Sequence, residues 1–362
     1  MARFGIEEEF FLLDEDSLVP LAMNQGLRDR LVGPHAGGTV TREFLTSQLE
    51  TTSAPLDTTA DAVAQLHGMR TAMASQAATD RAIVAAIGTP FVWSEETVIS
   101  PSPHYDEVAG ILGGLTRTHE VNGLHVHVEV QGDEERVLAL NRIRAWMPAL
   151  LAITGNSPFA HGRPSGFASW RSILTRRLPT GWTPPHSRDY TDYRAHVDKL
   201  LALRGITEAS SIGWTARLSE RYPTVEVRVC DTQLDVDDAM LAVALSRALV
   251  TSDGLDDGPE IGLDAIDASL WTASRFGLEA RVIDPTTGDA APAWDVIERM
   301  LSRTAAALAA QGDDAFVGAQ LARVRERGTG AQRQLRALER HGLAGLRNLY
   351  RATTAPGGAE RQ

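Results

Sequence analysis

The sequence has a single cysteine, Cys230, among its 362 residues, so an intramolecular disulfide is impossible. A reducing cytoplasm is the simplest expectation for such a chain. The sequence also lacks the apolar core of a signal peptide and any long apolar run, so we expect neither a secretory leader nor a membrane span. These absences favour a soluble, cytoplasmic protein.

Basic residues are fewer than acidic residues in this chain. Lysine and arginine together number 35, against 47 aspartates and glutamates, which gives a formal net charge of −12. A surplus of this sign argues against a general binder of nucleic acid or of anionic membranes. An anionic small-molecule substrate stays open, because metal ions and a few arginines can supply local positive charge.

Three common signatures are missing as well. The chain has no Gly-x-x-x-x-Gly-Lys-Ser/Thr loop, no Gly-x-Gly-x-x-Gly after a strand and no Gly-x-Ser-x-Gly elbow. Phosphate-loop ATPases, Rossmann dehydrogenases and α/β-hydrolases are therefore unsupported. The His-x-His pair at His125 and His127 suggests a zinc hydrolase as an alternative. The chain lacks the cysteine set or the His-Glu-x-x-His motif of such an enzyme, and a zinc hydrolase would leave the three consecutive glutamates at residues 7–9 unexplained.

The first predicted strand, residues 4–14, carries three consecutive glutamates in an otherwise apolar run. Alternation along a strand places Glu7 and Glu9 on one face and Glu8 on the other. Two carboxylates on a half-buried strand repel each other, and a divalent cation is the usual way to offset that repulsion. The alternative is a solvated edge strand with an acidic face, which the flanking aromatic and aliphatic residues make less favourable.

Two later strands repeat this design. His125 and His127 share one face of a second predicted strand, and Glu226 and Arg228 share one face of a third. A sheet built from these strands would pack its apolar face under helices and present a concave face rich in carboxylates and histidine. Such a face suits Mg²⁺ or Mn²⁺, has room for more than one ion, and is typical of sites that hold nucleotide phosphates. The two strands span residues 123–130 and 224–231.

Strands interleaved with helices in the first two-thirds of the chain, and helices alone in the last third, predict an α+β fold with an antiparallel sheet. We expect a continuous helix over residues 133–152. Residues 162–185 are rich in Gly, Pro, Arg and Trp and are predicted to form a long functional loop. With no internal repeat and no clear linker, we expect one domain over residues 1–354 and a disordered tail over residues 355–362.

Several motifs follow one another in a distinctive order along the chain. They are Gly-Ile-Glu-x-Glu at 5–9, Glu-x-x-x-Ser-Gln-x-Glu at 43–50, Gly-Leu-His-Val-His-Val at 123–128, Thr-Val-Glu-Val-Arg-Val-x-Asp-Thr at 224–232, and Phe-Gly-Leu-Glu at 276–279. In this order they resemble the glutamate–cysteine ligase type 2 family, the YbdK-like carboxylate–amine ligases. The resemblance covers most of the chain.

The resemblance implies the glutamine synthetase-like fold, in which helices pack on the outer face of a curved antiparallel sheet that cradles metal ions and ATP. It also implies an ATP-dependent ligase. In that reaction a carboxylate is phosphorylated to an acyl phosphate, and an amine then attacks to form a γ-glutamyl-type amide, with release of ADP and phosphate. Glutamate and cysteine are the reference substrates of the family, and the amine is left open here.

The resemblance also assigns roles to individual residues. The implied ligands of Mg²⁺, or of Mn²⁺ in its place, are Glu7, Glu9, Glu43, Glu50, His125 and Glu226. Glu226 and Arg228 are the implied catalytic residues, and Arg228 also contacts the phosphate that ATP transfers. Arg171 lies in a segment similar to the substrate side of the family. It is a candidate clamp for a substrate carboxylate, because a guanidinium matches a carboxylate bidentately; an ordinary surface arginine is the alternative.

Residues beside the implied site carry further expectations. His127 is expected to support a neighbouring ligand, and Asn156 and Trp170 to line the pocket. Cys230 is expected in the core, and Glu8, on the apolar side of its strand, to face a helix N-terminus or a partner subunit. Two other functions stay open: a guanidino-type phosphotransferase on the related sheet fold, and a metal-binding protein without catalysis. The expected partners are a glutamate-like carboxylate and an amine, without nucleic acid or membrane, and a homodimer is a further possibility.

Overall fold

A computed structural model describes residues 2–255, 258–352 and 354 of the chain. The predicted tail, residues 355–362, lies outside the described residues. The strands are β1 (Phe4–Asp14), β2 (Gly33–His35), β3 (Gly38–Arg42), β4 (Gln48–Thr52), β5 (Ala82–Ala85), β6 (Gly123–Glu129), β7 (Phe159–Ala160), β8 (Arg163–Pro164), β9 (Ala216–Leu218), β10 (Thr224–Asp231), β11 (Arg281–Ile283) and β12 (Ala290–Pro292). The helices are α1 (Gln25–Leu31), α2 (Thr59–Ala77), α3 (Pro103–Leu112), α4 (Asp133–Ile143), α5 (Met147–Thr154), α6 (Trp170–Thr175), α7 (Tyr190–Ala202), α8 (Val236–Thr251), α9 (Leu263–Phe276), α10 (Ala293–Gln311), α11 (Asp314–Arg327) and α12 (Gly330–Ala352).

One eight-stranded sheet organises the molecule. Its strands run in the order β2-β3-β4-β1-β6-β10-β9, with β5 pairing to the far end of β1, and every pair of neighbours is antiparallel. The three strands predicted from alternation therefore lie side by side at its centre, as β1, β6 and β10. The predicted α+β class with an antiparallel sheet is confirmed.

Helices cover the apolar face of this sheet and bury the main core. Ile6, Val126 and Val227, from the three central strands, pack into one cluster with side chains of α2, α4, α5 and α8. In α2 the buried positions recur every three or four residues, as the pattern of an amphipathic helix requires, and Thr58 caps its first turn by accepting from the Asp61 amide. On the opposite face, side chains of α12 cover Phe11 and Leu13 at the end of β1. The rest of that face carries the polar side chains of the three central strands and is the free face of the sheet.

Glu8 faces this apolar side, but the expectation that it meets a helix N-terminus or a partner subunit is wrong. Its carboxylate accepts from Nε and Nη2 of Arg70, and the Arg70 Nε–Glu8 Oε2 distance is 3.2 Å. Arg70 lies within α2, and both side chains are 1% exposed. The same guanidinium donates to the carbonyls of Gln233 and Leu234. The long arginine side chain reaches Glu8 from the helix that crosses behind the strand.

Two other local expectations also change. The segment 162–185 is not a continuous loop, since it contains α6, whose first turn is capped by Ser169. The helix expected over residues 133–152 is divided into α4 and α5 by a 3₁₀ turn at Arg144–Trp146. Taken together, Asp133–Thr154 is long and apolar enough for a membrane span by length and composition alone, although no long apolar run was expected. The structure buries 78% of its most apolar window inside the fold, as it would a core helix.

A β-bulge in β10 changes which face its last residues occupy. Val227 pairs with Val126 and Cys230 with Leu124, so two residues of β10, Arg228 and Val229, stand opposite the single residue between them on β6. The extra residue turns Cys230 into the apolar layer, where it is fully buried. The prediction that Cys230 is a core residue is confirmed.

Candidate active site

Strand pairing brings the predicted site residues together on the free face of the sheet. Glu9 of β1 lies opposite Glu50 of β4, and Glu7 lies opposite His125 of β6. On the other side of β6, His127 lies opposite Glu226 of β10. Glu43, in the turn between β3 and β4, completes the set from the far side of Glu50. Carboxylates that are far apart in sequence therefore share one surface.

Three groups of these side chains could each hold a cation, because their ligand atoms all lie within 4.8 Å of one another. Their donors are carboxylate oxygens and imidazole nitrogens, which suit Mg²⁺ where oxygen dominates and Mn²⁺ where histidine takes part. The all-carboxylate group is the one best matched to magnesium. The groups are Glu9 with Glu43 and Glu50, Glu7 with Glu50 and His125, and Glu7 with His127 and Glu226.

The two histidines stabilise the ionised form of Glu7. His125 Nδ1 lies 3.2 Å from Glu7 Oε2, and His127 Nε2 lies 3.4 Å from Glu7 Oε1. Burial alone would raise the pKa of Glu7, but the hydrogen bond from His125 and the close approach of His127 outweigh it and hold that pKa far below its usual range. The pKa of His125 is lowered by burial and by Arg228, so its imidazole is neutral at pH 7, the form that ligates metal.

Glu43 and Glu50 have no such support. Among the described residues neither carboxylate forms an ion pair, and both are only partly exposed. Burial and the nearby Glu9 carboxylate raise the pKa of Glu43 to about 8. Burial and the Glu43 carboxylate raise the pKa of Glu50 well above its usual range. Three acidic groups thus share a space in which the protein itself provides too little positive charge to keep them all ionised.

Arginines surround Glu226 instead. Arg217 Nη2 lies 2.9 Å from Glu226 Oε2, and Arg228 donates to Oε1 of the same carboxylate. Burial opposes ionisation, but these two guanidinium groups outweigh it and lower the pKa of Glu226 to about 2. Arg228 Nη1 also lies 3.4 Å from His125 Nδ1, which places its charge at the centre of the acidic surface.

Two cavities open on either side of this surface. The larger, about 310 Å³, is lined by Glu9, Glu43 and Arg228 together with side chains of α3. The smaller, about 190 Å³, is lined by Glu7 and His127 together with an apolar set of Phe4, Pro55, Tyr222 and Pro223. The acidic groups therefore lie between two spaces of different character.

Arg171 lies in the wall of the larger cavity, as expected of a substrate-side residue, but it is 7% exposed and already engaged. Its guanidinium donates to the carbonyls of Arg228 and Val229 and lies 3.7 Å from Asp231. Asn156 and Trp170 do not line either cavity. The side-chain amide of Asn156 is buried. It donates to the backbone carbonyl of Ala86, just after β5, and to that of Thr232, just after β10.

Two members of this surface were not predicted from the sequence as ligands or partners of Glu226. His127, expected only to support a ligand, sits within reach of both Glu7 and Glu226, because β6 lies between β1 and β10. Arg217 was missed because its strand, β9, has three residues and shows too little alternation to be predicted. The available signal was indirect: the turn-forming stretch before β10 implies a hairpin partner just upstream.

Comparisons with known proteins agree with this geometry. The family model described as "Glutamate-cysteine ligase family 2" matches residues 3–352. A protein of Saccharopolyspora erythraea named "Putative glutamate--cysteine ligase 2-2" is 35% identical over 368 residues, covering 99% of this chain and 93% of the relative. A glutamate–cysteine ligase 2 relative from Salinispora tropica is 37% identical over 343 residues, covering 93% of this chain and 90% of the relative.

A solved structure shows the same fold at low sequence identity. The glutamate–cysteine ligase of Francisella tularensis, in complex with AMP, superposes with a TM-score of 0.73 at 14% identity, covering 99% of this chain and 90% of that chain. The overall arrangement of sheet and helices expected from the resemblance is confirmed.

Proposed function

The chain belongs to glutamate–cysteine ligase family 2 and is an ATP-dependent ligase of carbon–nitrogen bonds, and we propose that it joins a glutamate-like carboxylate to an amine through an acyl phosphate. In this reaction a carboxylate oxygen attacks the γ-phosphorus of ATP and ADP leaves. The amine nitrogen then attacks the acyl carbon, phosphate leaves, and the nitrogen loses a proton. The products are an amide, ADP and phosphate.

One observation carries this proposal: carboxylates from β1, β4 and the preceding turn converge without enough protein cations to balance them. A merely structural carboxylate would be paired or solvated, as Glu8 is by Arg70. Unbalanced carboxylates beside a cavity fit a protein that takes up divalent cations together with a polyanion. That is the charge pattern which ATP and a carboxylate substrate require.

The chain's own residues account for charge and placement. Glu7, Glu9, Glu43, Glu50, His125 and Glu226 would hold Mg²⁺, which when bound supplies the positive charge that lets two anions approach each other. Arg228, which stays charged because Glu226 outweighs the effect of burial, is aimed at the same surface and would stabilise the transferred phosphoryl group. Arg171 lies in the wall of the larger cavity beside the place proposed for the carboxylate substrate, and its guanidinium is already engaged by the carbonyls of Arg228 and Val229.

The two cavities suggest how the substrates are distributed. The smaller one combines an aromatic and prolyl wall with two candidate metal ligands, which suits a purine ring with its phosphates directed toward the metals. The larger one has Arg228 and Arg171 in its wall and a volume of about 310 Å³, which suits the carboxylate and the amine. The γ-phosphate would then meet the carboxylate over Arg228.

The test is an assay of ADP and phosphate with ATP, Mg²⁺, glutamate and a panel of amines. Phosphate release that requires both carboxylate and amine supports ligation, whereas ADP without free phosphate would support a phosphotransferase. Glu50→Gln should abolish the signal, and Glu298→Gln, which changes an exposed glutamate paired with Arg325 far from the site, should not. Turnover that survives in Glu50→Gln would contradict the proposed site.

Further proposals concern the whole chain. We propose a single ligase domain over residues 1–354, which the family match over residues 3–352 supports. We propose a cytoplasmic location, which the single buried cysteine and the use of ATP support. A homodimer remains a hypothesis that sedimentation would test.

A further inference from the structure

The β-bulge of β10 falls on Arg228, the residue proposed to stabilise the transferred phosphoryl group. Arg228 and Val229 together oppose His125 of β6, so regular pairing with that strand is interrupted there. The Arg228 amide donates to the Thr215 carbonyl on the other side, at 2.8 Å. A bulge bends its strand and re-aims a side chain, and it leaves carbonyls without ladder partners. The direction of the Arg228 side chain therefore depends on what fixes this bulge.

Arg171 satisfies the carbonyls of both bulged residues. Its Nη2 donates to the Arg228 carbonyl at 3.2 Å, and its Nη1 donates to the Val229 carbonyl at 3.3 Å. Glycine at position 123 makes room for this approach, because a Cβ there would lie 2.4 Å from Arg171 Nη2. One planar guanidinium thus bridges two successive carbonyls, which the single ammonium of a lysine cannot do with the same geometry.

Asp231 holds this guanidinium in place. The carboxylate is fully buried, and its Oδ1 lies 3.7 Å from Arg171 Nη1. Three hydrogen-bond donors fix its orientation: the Ser157 hydroxyl at 2.7 Å, the Ser169 hydroxyl at 2.9 Å and the backbone N–H of Asn156 at 2.8 Å. Ser169 also caps α6, the helix that carries Arg171. The carboxylate therefore locks both the arginine and the helix from which it projects.

We propose that Asp231 is a positioning residue for the ligase reaction: through Arg171 it fixes the bulge of β10 and so aims the Arg228 guanidinium at the transferred phosphate. Asp231 itself touches neither substrate nor metal in this role. The inference rests on the proposed function for the role of Arg228, but the geometric coupling from Asp231 to Arg228 can be tested without any turnover.

The chain offers a matched control. Asp313 is a second buried aspartate paired with a buried arginine, Arg247, at 3.2 Å, and it too accepts from a hydroxyl, that of Thr59. That pair ties α8 to the start of α11, away from the acidic surface. Asp231→Asn and Asp313→Asn therefore each remove one buried negative charge that is paired with an arginine. Only the charge of Asp231 is linked, through Arg171, to the position of Arg228.

The experiment measures kcat and KM for ATP and the carboxylate in both variants and in Arg171→Lys. Asp231→Asn and Arg171→Lys should lower kcat on the order of 10²-fold, the loss that a misplacement of about 1 Å can cause. The KM of each substrate should change less than about threefold. Asp313→Asn should lower the unfolding temperature and leave kcat within about twofold of wild type. If Arg171→Lys raises the KM of the carboxylate with kcat unchanged, Arg171 acts as a substrate clamp and the proposal is overturned.

A second readout is independent of activity. In ¹⁵N-arginine-labelled protein, the Nε–Hε signal of Arg228, assigned by its loss in Arg228→Lys, should shift in Asp231→Asn and stay in place in Asp313→Asn. An unchanged signal in Asp231→Asn would overturn the proposal even if the wild type ligates no tested pair. If Asp231→Asn does not fold, the Arg228 signal is measured in Arg171→Lys instead. A shifted signal there supports the proposal, and an unchanged one overturns it.

Discussion

Glu8 and Glu9 are neighbours on β1, yet they meet opposite environments on the two sides of the sheet. On the helix side, Glu8 is sealed in the core against Arg70, whose remaining donors are taken by backbone carbonyls. On the free side, Glu9 lies across from Glu50 and close to Glu43, and the nearest basic groups are the neutral imidazole of His125 and an arginine already bound to Glu226. On the helix side the negative charge is balanced by an arginine of the protein, and on the free side it is not.

The contrast separates structural from functional charge without reference to any relative. Glu8 is sealed in the core and shares its carboxylate with Arg70, so it has no room for a ligand, and loss of Arg70 would leave a buried charge without a partner. Carboxylates that crowd together at a partly open surface cost stability, and they persist where a bound cation offsets that cost. If this distinction holds, substitutions on the two sides of β1 should move stability in opposite directions.

The largest effect is expected on the balanced side. Arg70→Ala leaves Glu8 buried without a partner, and we expect a loss of about 3–5 kcal/mol in the free energy of unfolding. Chemical denaturation measures it, with Arg188→Ala as the control, because Arg188 forms an exposed pair with Asp192 and its loss should leave the free energy of unfolding almost unchanged. A loss for Arg70→Ala as small as that of the control would remove the distinction.

On the unbalanced side, Glu50→Gln should divide activity from stability. We expect turnover to fall by more than about 10²-fold. The change removes a proposed metal ligand itself, whereas loss of a residue that only hydrogen-bonds to a ligand costs about 10- to 10²-fold. The metal-free protein should become more stable, because one carboxylate leaves a crowded group. Denaturation in EDTA compared with wild type measures the gain. Lower stability in EDTA would mean that Glu50 is structural, like Glu8.

A smaller effect is expected for Arg228→Lys, which keeps a positive charge but loses the planar fork. We expect kcat to fall by about 10- to 10²-fold, with the KM of ATP changed less than about threefold. Steady-state kinetics check this, and Arg188→Lys serves as the control on an exposed arginine. A higher KM for ATP at constant kcat would assign Arg228 to ground-state binding.

The central strands could be predicted because alternation is a local property. The pattern of β1 places Glu7 and Glu9 on one face whatever the rest of the chain does, and the same holds for His125 in β6. The structure confirms both the α+β class and the shared face. Local patterns also indicated that Glu8 faces the apolar side.

What escaped prediction depends on long-range packing. Arg70 is 62 residues from Glu8 and meets it only because α2 crosses behind β1. His127 joins two glutamates because β6 lies between β1 and β10, an order that no single strand reveals. The bulge that redirects β10 leaves no clear trace in the alternation of Val225, Val227 and Val229.

The smallest expected effect is a pH dependence that appears only without metal. The pKa of Glu43 is about 8 in the folded protein, above its ordinary value of 4.5, because of burial and of Glu9. A raised pKa means that the folded state binds the proton more tightly than the unfolded state does, so this contribution to stability is complete below pH 4.5 and is lost as pH rises through 8. In EDTA the unfolding temperature should therefore fall by a few degrees between these limits.

Mg²⁺ should flatten this fall, because a bound cation replaces the proton, and Glu50→Gln should flatten it in EDTA by removing a neighbouring charge. Glu298→Gln should leave the slope unchanged, since that carboxylate is exposed and distant. Thermal unfolding in EDTA and in Mg²⁺ over this range measures all of these slopes. A wild-type slope that is the same in both buffers would show that the carboxylates of the free face do not bind the cation, and the contrast between the two sides of β1 would then have no functional content.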